Sequence, residues 1–164
     1  MYQVKFYSIA IGVLFLLSFS SHLSAQEDMT KKRIAFMREN YDSFKAIKKA
    51  VEEKNYATVE LKAKDIMGHM DHLLEYFPKD SIGEKSRAKA DIWEKWDEFS
   101  KIPLKVKDVA NGLVKAAAAK DQAAVQAQYK ALVGADESPY RSGACYECHK
   151  SFMNLPPPSK KAGG

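Results

Sequence analysis

Apolar residues recur at steps of three and four along most of the chain after residue 26, and no segment replaces them with the two-residue alternation of a strand. That period restricts the fold to helices that each bury one stripe. Ile34, Met37, Tyr41, Phe44, Ile47 and Val51 predict a long helix over roughly 27–53. Val59, Ala63, Ile66, Met67, Met70, Leu73, Leu74 and Phe77 predict a second, with Asn55 as its N-cap and Pro78 as its stop. A polar connection, 79–85, follows. Ile92, Trp93, Trp96 and Phe99 open a third segment that Pro103 should kink or break before Val106, Val109, Ala110, Leu113, Val114 and Ala117 resume the period. Asp121 caps a fourth helix carrying Ala124, Val125, Tyr129, Leu132 and Val133. The stretch 134–143, with Pro139 inside, breaks the pattern before a last short helix, and the tail 156–164 should be extended and disordered. Four such helices joined by short connections bury their stripes against one another. The expected fold is all-α, an antiparallel up-down-up-down four-helix bundle over 26–155.

Residues 1–25 read as a secretory signal peptide. Lys5 supplies the positive start, Ile9 to Phe19 the apolar stretch, and Ser24-Ala25 a small-residue cleavage site. An uncleaved membrane anchor is the alternative; the apolar run is short for a span. No cysteine follows it to take a lipid. The expected location is therefore the periplasm, with no stable membrane association after cleavage. Cleavage removes one of 26 basic residues and none of the 21 acids, leaving 139 residues with a net charge of +4. That length suits one domain with a real core. The lysines are scattered at helix-surface spacing, which argues against nucleic acid as a partner.

Within the last short helix lies Cys145-Tyr146-Glu147-Cys148-His149. The C-x-x-C-H spacing is the attachment signature of c-type haem. Each thiol can add to one vinyl group of the porphyrin, and the adjacent histidine is then placed to ligate the iron. Cys145, Cys148 and His149 are thus the candidate residues for one covalently attached haem c. Two other readings exist. A redox dithiol expects a βαβ setting, and a structural zinc expects four ligands where this cluster offers three. Both cysteines of the chain lie in the motif, so no other disulfide can form beside the haem.

Four local patterns resemble the class II cytochromes c, the cytochrome c′ family. They are Arg33-Ile34-Ala35-Phe36-Met37, Phe77-Pro78, Ile92-Trp93-Glu94-Lys95-Trp96-Asp97-Glu98-Phe99, and Cys145 to Lys150, in the family's order. The resemblance covers about residues 31–153. It implies that Met37 occupies the distal face of the haem and that Arg33 contacts a haem propionate. If the Met37 thioether binds iron, the six-coordinate His149/Met37 centre suits an electron carrier with a redox-partner protein. If it packs without bonding, the iron is five-coordinate and open to nitric oxide or carbon monoxide, as in a sensor or scavenger. A non-haem helical interaction module is a third class. Neither haem reading requires enzymatic turnover. Class II relatives also imply a homodimer through the first two helices. The chain departs from the family pattern in the 134–143 insertion and at Met153, where relatives usually carry an arginine four residues after the haem histidine. His69 and His72, three apart, read as surface or edge histidines, and Trp93 and Trp96 as core or haem packing.

Overall fold

The computed structural model describes the backbone of residues 4–135 and 141–155, and the side chains of 26–135 and 141–155. Pro139, the tail 156–164 and the side chains of 1–25 lie outside the described residues. Helix α1 runs Val4–Glu52, so the N-terminal segment continues into the first bundle helix without a break. α2 is Tyr56–His72, extended by a 3-10 turn over Leu73–Tyr76. Two single turns follow, α3 at Asp91–Glu94 and α4 at Trp96–Phe99. α5 is Ile102–Ala118, α6 is Gln122–Val133, and α7 is Ala144–Phe152. α1, α2, α5 and α6 pack as a four-helix bundle, and α7 lies against α5 and α6. Among the described residues there is no strand.

The ends follow from local chemistry. Asn55 accepts from the Thr58 N–H at 3.1 Å and Asp121 from the Ala124 N–H at 3.0 Å, the two expected N-caps. Pro103 does not kink a helix. It sits in the first turn of α5, where its missing N–H costs nothing. The break it foreshadows comes earlier, at Lys95 and at Ser100–Lys101, and divides the Ile92–Phe99 segment into two turns. Phe99 is fully buried and meets Phe77 and Phe152 edge-on, at 4.9 and 5.3 Å between ring centroids. It joins the end of α2 to α7.

The face that α1 turns to the bundle matches the expected stripe at Ile47 and Val51 and departs from it nearer the N-terminus. Thr30, Arg33, Phe36, Asn40, Ser43, Ile47 and Ala50 are buried, whereas Ile34 and Tyr41 are 52% and 51% exposed. Heptad spacing holds for both sets, so period alone cannot choose between them. The buried polar residues succeed because they have work to do: Arg33, Thr30 and Asn40 all make hydrogen bonds across or along the helix.

The insertion between α6 and α7 is pinched at its ends. Gly134 and Gly143 have φ of 89° and 82°. A Cβ on Gly143 would lie 2.4 Å from Gly134 N and 2.7 Å from Leu132 O, both backbone atoms. Gly143→Ala should therefore lower stability by on the order of 2 kcal/mol, read as a drop in the urea midpoint, because both the dihedral and the contact require glycine.

Candidate haem site

α7 places its three motif residues on one turn. Cys145, Cys148 and His149 all line a cavity of about 440 Å³ bounded by α1, α5, α7 and the 85–88 segment. Met37, from α1, lines the same cavity with Ile34, Tyr41 and Phe44. Residues more than 100 positions apart in sequence thus share one space. The remaining wall is largely apolar: Met70, Leu73, Phe77, Ile92, Phe99 and Phe152 contribute to it. The stripe read from the sequence as bundle core is, at Ile34, Met37, Tyr41 and Phe44, cavity wall instead.

Both thiols are partly exposed yet face this apolar wall, and desolvation pushes each up to about 12. At neutral pH they are protonated. A reactive dithiol needs a depressed pKa, so the environment disfavours the redox reading. Among the described residues no three His, Cys, Asp or Glu side chains are arranged to hold a metal ion. His69 instead meets Asn40 at 3.2 Å through Nδ1, and His72 meets Glu75 at 2.9 Å. The Glu75 hydrogen bond raises the pKa of the exposed His72.

A haem fits this arrangement. The cavity has apolar walls, two thiols at attachment spacing, an imidazole next to them and a thioether on α1. Among the described residues, Arg33, Arg38, Lys85 and Arg87 line it and no carboxylate does.

Arg33 lines the cavity, as expected, but is 5% exposed and tightly engaged. Nη1 donates to Tyr76 O at 3.0 Å and Ser81 Oγ at 2.8 Å. Nη2 donates to Thr30 Oγ1 at 3.2 Å and Ser81 O at 2.6 Å. Its guanidinium also lies over the Phe77 ring. Burial lowers its pKa. The residue clamps the turn after α2 onto α1. Trp93 has a related task, donating from Nε1 to Phe77 O at 3.1 Å. Trp96, expected as core or haem packing, is instead exposed; its ring meets Phe99 tilted at 5.7 Å, and it is absent from the cavity wall.

Sequence reasoning missed the strap, residues 83–90. An isolated antiparallel bridge pairs Ala88 with Met153. Lys89 N donates to Phe152 O at 2.9 Å and Asn154 N to Arg87 O at 2.7 Å. The strap thereby ties the end of α7 to the α2–α3 connection. No period marks such a segment, and its only sequence signal is a polar stretch containing Gly83. Asn40, a buried residue of the cavity wall, was also missed.

The family profile described as Cytochrome C′ matches residues 28–153. Cytochrome c′ of Rhodospirillum rubrum is 36% identical over 91 residues, 55% of this chain and 56% of that protein. Cytochrome c′ of Pararhodospirillum photometricum is 35% identical over 91 residues, 55% of this chain and 66% of that protein. The chain thus spans under two thirds of the length of either relative. Among solved structures, the nitric oxide complex of a mutant cytochrome c prime from Alcaligenes xylosoxidans superposes with a TM-score of 0.63 at 17% identity, over 80% of this chain and 97% of that one. A cytochrome c′ described as having ligand-controlled dimer dissociation superposes with a TM-score of 0.63 at 22% identity, over 78% and 95%.

Proposed function

Because the chain belongs to the cytochrome c′ family, which binds one covalent haem c, we propose that it is a periplasmic electron carrier in which His149 and Met37 would ligate the haem iron. The observation that carries this reading is the shared cavity, in which Cys145, Cys148 and His149 from α7 face the same space as Met37 from α1. When bound, the haem supplies a centre that cycles between ferric and ferrous states. Cys145 and Cys148 hold it covalently, so exchange with the surroundings cannot deplete it. His149 is held next to Cys148 by α7. Met37 presents a soft thioether from the opposite helix, and a His/Met pair raises the potential. Phe44, Ile92, Phe99 and Phe152 exclude water from the cavity walls. Among the described residues no carboxylate lines the cavity to act as a general acid or base, and we assign no substrate turnover.

In this reading residues 1–25 are removed on export, which places the haem where thioether attachment and an acceptor protein are available. Among the described residues no helix is long and apolar enough to cross a membrane. The structural neighbour with a ligand-controlled dimer supports a homodimer for this chain as well.

A specific observation favours a second reading. The cavity surroundings of Met37 are Ile34, Tyr41 and Phe44, a setting that also suits a neutral diatomic ligand, and the Alcaligenes relative binds nitric oxide. In that case Met37 packs without ligation and the iron is five-coordinate. Visible spectra of the ferric and ferrous protein separate the two. The carrier reading expects a low-spin spectrum with a methionine–iron band at the red edge, converted to high spin in Met37→Ala. A high-spin wild-type spectrum that shifts with carbon monoxide would replace it with the gas-binding reading.

A further inference from the structure

A haem carries two carboxylates, and among the described residues the charged partners that the cavity wall offers them are cations. Arg33, the residue that the family resemblance puts there, is already engaged. A guanidinium has five N–H donors, and four acceptors account for the four on its Nη atoms. Turning Arg33 toward a carboxylate would strip the Tyr76 and Ser81 carbonyls of their donor.

Arg87 is in the opposite condition. It lines the cavity, is exposed, and among the described residues its guanidinium donates to no acceptor. Its backbone, by contrast, is fixed. The Arg87 carbonyl accepts from Asn154 N, and its neighbours Ala88 and Lys89 pair with Met153 and Phe152 at the end of α7. Arg87 therefore keeps register with the helix that carries Cys145, Cys148 and His149. The other two cations are less well placed. Lys85 pairs with Glu27 at 3.7 Å, and Arg38 lies on the exposed flank of α1 with no tie to α7.

We infer that Arg87, and not Arg33, binds a carboxylate of the haem. This rests on the haem reading above. The strap brings a planar fork, suited to bidentate carboxylate binding, from a separate element to the α7 end of the cavity. The charged groups on the strap and α7 are Glu84, Lys85 and Lys89 on the strap and Glu147 and Lys150 on α7, beside the titratable His149; on the adjoining part of α1 they include Glu27, Asp28, Lys31, Lys32, Arg33 and Arg38.

The holoprotein's reduction potential, followed against pH, reads the haem carboxylate. The inflection should move up by about one unit in Arg87→Ala, because a cation beside a carboxylate holds its pKa down. It should move by less in Arg87→Lys, which keeps the charge without the fork, and should stay in place in Arg33→Met. An unmoved inflection in Arg87→Ala overturns the inference, and so does an equal shift in Arg33→Met. If Arg33→Met does not fold, Arg87→Ala alone decides. A wild-type preparation with no haem absorption overturns the haem reading instead.

Discussion

Cys145→Ser with Cys148→Ser should abolish covalent haem entirely. After co-expression with the attachment machinery, acid–acetone should extract all haem from the double variant and none from the wild type. Each single variant keeps one thioether, so its haem should resist extraction, with a pyridine haemochrome band displaced from the two-thioether position. A hydroxyl does not add to a vinyl group as a thiol does, and the two thiols are the chain's only cysteines. His149 remains in the double variant and still faces the cavity, so some haem can bind reversibly. Haem that stayed with the double variant after extraction would sink the attachment assignment. A non-haem interaction module predicts the reverse pattern, with no haem in the wild type and no change on substitution.

Arg33→Met should have the second-largest effect, on stability and not on haem content. The substitution keeps most of the stem's volume and removes the fork. Tyr76 O, Ser81 O and Ser81 Oγ then lose a buried donor. Unpaired buried acceptors cost about 1–3 kcal/mol apiece before relaxation, and relaxation of the 76–83 turn should return part of this. A net loss on the order of 3 kcal/mol is expected, equivalent to a melting temperature lower by about 10 °C. Thermal unfolding followed by circular dichroism measures it. A melting temperature within a degree or two of wild type would show that the clamp contributes little.

The parts legible in the sequence were those governed by nearest neighbours. Asn55 and Asp121 cap because a short acceptor three residues ahead of a free N–H is a local arrangement, and both were readable. The attachment motif was readable for the same reason, since thiols and imidazole lie within five residues. Which face of α1 meets the bundle was not. Ile34 and Tyr41 look like core by hydropathy, yet Arg33 and Asn40 are the buried neighbours, because their hydrogen-bonding partners lie up to 48 residues away or on another helix. Pro103 signalled a break but not its exact place, which Lys95 and Phe99 packing decide. The hydrogen bonds of Arg33 were not legible either. Its partners at Tyr76 and Ser81 are set by how the α2–α3 connection folds back, and no periodicity encodes that. The strap was invisible for a related reason: its bridge to Met153 is a pairing of backbones, indifferent to side-chain pattern.

The glycine pinch between α6 and α7 has a consequence for engineering. Gly134 and Gly143 are in backbone contact, so the chain leaves and returns at a single point. Where α7 starts is therefore fixed by this contact. Each doubling of a flexible detour costs only about 0.6 kcal/mol. An electrode tether or a fused domain inserted between Gly134 and Gly143 should therefore leave the start of α7, and with it the attachment residues, where the glycine contact holds them.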